Sequence, residues 1–149
     1  MIDDAEAAPA ETQIRQALKG RVDALRSKDV ARLLSHYAPD VRVFSLAPPL
    51  QRLGADTLGE AMKGWFASFD GPLGYELRDL DVTVGNDVAF VHGLGHISGR
   101  RVDGQDTDVW TRVTVCLRRS HGQWIVAHEH SSVPFYMDGS LRAAVDLKP

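Results

Sequence analysis

Four of the six histidines stand in two evenly spaced pairs, His92 with His96 and His128 with His130. The ordinary pKa of imidazole lies close to neutrality, so such pairs can act as general acids and bases, grip an anionic group or ligate a metal. Between the pairs, Trp110, Arg112, Thr114 and Cys116 alternate with Thr111, Val113, Val115 and Leu117. Strand side chains change face at every residue, so each histidine pair shares a face, and Trp110 and Arg112 lie opposite the simpler apolar set. One sheet face is thereby expected to carry His92, His96, Trp110, Arg112, His128 and His130, a mixture suited to a ligand with a polar head. An arginine enclosed there would have to meet an acid or a bound anion, because an unpaired buried charge is costly. An antiparallel sheet can equally turn its polar face to solvent or to a second subunit, and both placements stand on the sequence.

Other chemistries find less support. A His-x-His pair on a strand can chelate, but there is no H-E-x-x-H helix, and Glu129 points away from both neighbouring histidines, so no metal site is assigned. Ser131 and Ser132 follow His130 without the G-x-S-x-G elbow of a serine nucleophile. Cys116 reads as a small strand hydrophobe, and Asp79, Asp81, Asp103, Asp106 and Asp108 as solvated carboxylates. No glycine-rich phosphate loop precedes a helix, and no cofactor is expected.

The elements that must hold these residues follow from hydropathy. Residues 1–11 are acidic and Ala/Pro-rich and read as a flexible tail. Thr12 can cap a helix over 12–27 with Ile14, Ala17, Leu18, Val22 and Leu25 inward and Arg15, Lys19 and Arg26 outward. Asp29 can cap a second helix holding Val30, Leu33, Leu34 and Tyr37, stopped by Pro39. A strand over 41–45, a loop over 46–54 and a helix from Asp56 to about Phe69 complete the first half. Four β-rich runs follow, Tyr75 to Val84, Val88 to Ser98, Asp108 to Arg119 and Trp124 to Val133, separated by Gly85-Asn86-Asp87, Asp103-Gly104 and His121-Gly122. Helices first and a meander last make an α+β domain over 12–136, its helices packed on one face of a curved antiparallel sheet, with a tail over 137–149. Tyr37 and Trp65 from the helical half are placed as the roof of a pocket above the sheet.

At 149 residues, 44% hydrophobic and 25% charged, the chain suits one soluble domain with a self-sufficient core. The net charge of −3 gives no broad positive field, so neither nucleic acid nor an acidic membrane surface is an expected partner. A single cysteine excludes an intramolecular disulfide and a multi-thiolate zinc site. No apolar run approaches the ~20 residues of a bilayer span, and the first residues are acidic where a signal peptide is basic. The expected location is cytoplasmic.

The element order, the segment Tyr37-Ala38-Pro39-Asp40-Val41 and the run Trp124-Ile125-Val126-Ala127-His128-Glu129-His130-Ser131-Ser132-Val133-Pro134 resemble the superfamily of ketosteroid isomerase, nuclear transport factor 2 and SnoaL-like polyketide cyclases. Gly-x-Trp followed by His-x-His-x-Ser is most similar to the SnoaL-like branch, and is also similar to the oligomer-forming association domain of calcium/calmodulin-dependent kinase. The resemblance covers residues 12–136. It implies a cone with a hydrophobic pocket between sheet and helix, and a homodimer formed through the outer sheet face. It does not carry over the ketosteroid isomerase machinery: Ser45, after Phe44, stands where that enzyme needs a carboxylate, and Arg21 stands near the place of its first-helix tyrosine. The expected function is binding of a small hydrophobic or carboxylate-bearing molecule. The expected chemistry is cofactor-free isomerisation, cyclisation or dehydration, with His92, His128 or His130 as base and Arg112 holding the anionic end. Tyr37, Trp65, His96 and Trp110 would complete the binding wall. The rival reading is a non-catalytic binding or oligomerisation module.

Overall fold

The computed structural model describes residues 2–149. Helix α1 runs Asp4–Arg26, beginning eight residues before the expected start at Thr12. Asp3 is the reason: its carboxylate accepts from the Glu6 amide at 2.9 Å and caps the first turn, while the Thr12 hydroxyl donates back to the Ala8 carbonyl at 3.2 Å inside the helix. Residues 4–11, expected as tail, are therefore helical, and Ala10 is buried; Met1 lies outside the described residues. The buried stripe of α1 is Ala10, Ile14, Leu18, Arg21, Ala24 and Leu25.

Helix α2, Val30–Leu34, is capped by Asp29, which accepts from the Arg32 amide at 3.0 Å. It ends earlier than expected. Pro39 forces the residue before it into extended backbone, so Tyr37 opens strand β1 (Tyr37–Phe44) instead of closing a helix. Strand β2 (Arg52–Leu53) is a two-residue edge inside the expected loop, and α3 occupies Ala55–Ala67. The four expected β-rich runs form longer strands: β3 Phe69–Val84, β4 Val88–Arg101, β5 Asp106–Ser120 and β6 Gln123–Ser132.

The sheet order is β2-β1-β6-β5-β4-β3. Every pairing is antiparallel except β1 with β6, which is parallel, so the sheet is mixed where an antiparallel one was expected. One row of partners crosses all six strands: Arg52, Val43, Glu129, Val115, Val91 and Val82. Direct partners in a ladder point to the same face, and this is the inner face, packed against the helices; Val43, Val91 and Val115 are at most 4% exposed. The neighbouring rows Arg78-Leu94-Arg112-Ser132 and Asp81-His92-Thr114-His130-Phe44 lie on the outer face. Irregularities interrupt the ladders after Arg78 and between Cys116 and Leu117, where a strand bends locally. Gly93 admits the first of these, since a Cβ there would stand 2.8 Å from the Arg78 carbonyl oxygen.

The C-terminal segment is tied to the body. Phe135 bridges Ala143, Ala144 is buried, and Lys148 Nζ reaches Asp108 Oδ2 at 3.3 Å. No helix of the described residues is long and apolar enough to cross a membrane.

Candidate functional site

The inner row places a carboxylate among valines. Glu129 is 7% exposed, between Val43 and Val115, and faces the buried stripe of α1. Arg21 comes from that stripe at 3% exposure. Its Nη2 donates to Glu129 Oε1, its Nε donates to the Tyr37 hydroxyl at 2.7 Å, and the Tyr37 hydroxyl donates to Glu129 Oε2 at 2.5 Å. The three groups form a closed ring of charge-assisted hydrogen bonds, the arrangement a buried ion pair needs. Arg21 also lies over the Tyr75 ring, 5.5 Å from its centroid.

Burial is the largest single influence and works against the Arg21 charge, but the Glu129 carboxylate together with Tyr37 and Tyr75 outweighs it and holds the guanidinium above its ordinary value. The Tyr37 phenol is pushed well up, chiefly by burial, with the nearby Glu129 charge opposing its ionisation further. At neutral pH the ring therefore contains a cation and a protonated phenol. One donor is left over: Arg21 Nη1 is buried and has no partner among the described residues.

This ring forms the floor of a cavity of about 180 Å³. Thr111, Ser131, Tyr75 and Ile97 continue the sheet wall; Leu25 comes from α1; Leu58, Ala61, Met62 and Trp65 come from α3. Ser45, Leu46, Ala47 and Arg52 form the rim, where Leu46 is 45% exposed. A hydrocarbon-lined cavity of roughly 150 Å³ accepts benzene, so the size fits a molecule of one ring. Apolar walls over a few convergent polar groups are what a small-molecule site requires.

Two of the eight expected site residues, Tyr37 and Trp65, line this cavity. The other six lie on the opposite side of the sheet. His92 is exposed, with Nε2 3.9 Å from Asp81 Oδ1. His96 stacks on Trp110 at 4.4 Å between centroids and meets Asp108 at 2.6 Å, while Arg78 lies over the Trp110 ring. Arg112 Nε donates to Ser132 Oγ at 3.2 Å. His128 Nδ1 lies 2.6 Å from the Arg42 carbonyl oxygen, and Phe44 meets both His128 and His130 edge-on. The physical reason for this correction is that the helices cover the face bearing Val113, Val115 and Leu117, leaving the mixed polar face outward. No cluster of three or more His, Cys, Asp or Glu side chains suited to a metal occurs among the described residues.

The groups that replace them had signals in the sequence. Arg21 stands on the stripe Ile14, Leu18, Arg21, Leu25, where helical spacing demands an apolar residue. Glu129 was hidden by the irregularity at Cys116/Leu117. Leu117 pairs with Val126 but Cys116 with His128, so Ala127 is an extra residue that reverses the alternation in β6.

A family model described as a SnoaL-like domain matches residues 14–136. Among solved structures, a nuclear transport factor 2-like protein of unknown function from Pseudomonas putida is 33% identical, covering 95% of this chain and 98% of its own, with a TM-score of 0.85. A Novosphingobium aromaticivorans protein named provisionally as a scytalone dehydratase superposes with a TM-score of 0.79 at 17% identity, over 93% of each chain. A ketosteroid isomerase-like protein from Erwinia carotovora superposes with a TM-score of 0.70 at 23% identity, over 81% of this chain and 93% of that one. At these identities the last two show the fold alone. No curated protein gives a significant match.

Proposed function

The chain belongs to the SnoaL-like domain family, within the nuclear transport factor 2-like superfamily, and from that premise we propose that its inner cavity binds a one-ring, oxygen-bearing small molecule and transfers a proton on it without a cofactor. The observation that carries this reading is the buried Arg21–Tyr37–Glu129 ring at the floor of an otherwise largely apolar cavity. A charged cluster held rigid and away from water is where electrostatic stabilisation of a developing oxyanion is strongest.

The roles follow from the donors and acceptors. Each Glu129 oxygen accepts one bond within the ring and retains a lone pair, so the carboxylate can take a proton from a carbon beside the substrate oxygen. Charge then gathers on that oxygen, above the positive charge of Arg21 at the cavity floor. Returning the proton to a different carbon completes an isomerisation; delivering it to a departing hydroxyl completes a dehydration. The dehydratase and isomerase names carried by two structural neighbours accord with this class.

The test is hydrogen–deuterium exchange at carbon. The protein is incubated in deuterium oxide with one-ring ketones such as cyclohexanone and acetophenone, and the α-proton NMR signals are followed. Catalysed exchange that drops by about 100-fold or more in Glu129→Gln supports the reading. Saturable binding without exchange would make the chain a binding module, and absence of both would remove the cavity as the functional site.

We further propose that the outer sheet face, with Phe90 at 47% exposure, is the self-association surface of a homodimer. Sedimentation of Phe90→Glu against the unmodified chain tests this: a dimer that persists with the charge in place would exclude that face.

A further inference from the structure

The cavity wall carries a second cation. Arg52 is the β2 end of the inner row, paired with Val43, which pairs in turn with Glu129. Neighbouring strands lie about 4.8 Å apart, so Arg52 and Glu129 sit roughly 10 Å apart across one valine on the same face. Arg52 makes no ion pair among the described residues; its side chain donates to the Pro48 carbonyl at 2.8 Å, one of five N–H donors. Two arginines and one carboxylate line the cavity, so its lining carries one surplus positive charge although the whole chain is net negative.

We infer that the ligand is a ring carboxylate, its anionic end held at the rim by Arg52 and its oxygen substituent directed down to the Arg21–Tyr37–Glu129 ring at the floor. This rests on the reading of the cavity as a small-molecule site and adds the class of molecule. The floor arginine is already neutralised by Glu129 and cannot serve as the anion anchor without leaving that carboxylate exposed to a like charge. Arg52 has no such commitment, and its planar fork suits a carboxylate. The ring between the two polar ends would lie across Val43 and against Trp65, where the wall is apolar. Arg112, the residue the sequence favoured for this task, lies on the other side of the sheet with Ser132.

The inference is tested by calorimetric titration with 4-hydroxybenzoate and with its neutral counterpart 4-hydroxybenzamide, which differ in charge at one end only. The unmodified chain should bind the acid at least about tenfold more tightly than the amide. Arg52→Gln should abolish that preference by costing far more affinity for the acid than for the amide, and Arg52→Lys should restore part of it. A purely structural role for Arg52 would weaken both probes together and leave their ratio intact, which would overturn the inference. Equal binding of acid and amide by the unmodified chain would overturn it too, while sparing the cavity reading; no binding of either probe would overturn both.

Discussion

Tyr37 and Glu129, the first residue of β1 and a central residue of β6, share a hydrogen bond of 2.5 Å at the floor of the cavity. Arg21 closes the ring from the helix above. The stability of the buried cluster and the proposed chemistry thus rest on the same three side chains, and substitutions can separate them.

Glu129→Leu strands a buried guanidinium and should destabilise the fold by about 3–5 kcal/mol. Replacing all three members together, Arg21→Met with Tyr37→Phe and Glu129→Leu, removes the ring's polar groups as a set and should regain most of that loss. Denaturant melts of the two proteins check this. The triple variant should fold and show no carbon exchange, and a triple variant as unstable as Glu129→Leu would mean that the ring is not the source of the cost.

Gly95 lies on the inner face of β4, where an added Cβ would stand 2.9 Å from Thr111 Oγ1, 3.1 Å from Val113 Cγ2 and 3.3 Å from the Tyr75 hydroxyl. Gly95→Ala should cost about 1–3 kcal/mol through overpacking. Because Thr111 and Tyr75 line the cavity, it should also weaken binding of one-ring ligands, measurable by the same calorimetric titration.

His36 contributes a pH dependence of stability. Burial, and then the positive charges of Arg21 and Arg32, hold its folded pKa below the ordinary 6.5. The unfolded chain therefore takes up a proton first on acidification, so the stabilising contribution is complete above pH 6.5 and is lost as pH falls through the lower folded value. Thermal melts between pH 7 and 5 should show declining stability, with a shallower slope in His36→Gln. An unchanged slope would place the effect elsewhere.

Alanine at His92, Arg112 or His130 should change the stability of the monomeric chain by no more than about 0.5 kcal/mol, since these side chains are exposed on the outer face of a single chain. Binding in the cavity and carbon exchange should be unaffected. Loss of exchange in Arg112→Ala with the fold intact would return chemistry to the outer face.

The architecture was legible because it rests on periodicities that tertiary contacts did not override. The alternation Trp110, Arg112, Thr114 against Thr111, Val113, Val115 separates the two faces as the structure does. Which face is enclosed was not legible from polarity, because the outer set holds more functional groups than the inner. The decisive inner groups look like errors in an apolar pattern: Arg21 in a helical stripe, and Glu129 in a strand whose parity changes at Ala127. An irregularity of one residue leaves no mark on composition, and it exchanges the neighbourhoods of His128 and Glu129. The early start of α1 was missed because Asp3 and Thr12 are both competent caps, and only the burial of Ala10 favours the first.

The parallel pairing of β1 with β6 has a consequence for the order of assembly. Strands β3 to β6 are joined by short turns and can zip by local contacts, whereas Arg21 and Glu129 are 108 residues apart and Tyr37 and Glu129 are 92 apart. Closing separations of that length is entropically expensive and belongs late in folding. A meander with β1 still detached holds a sheet and much of a core but no cavity floor, so the cavity is completed only when the two halves of the chain meet.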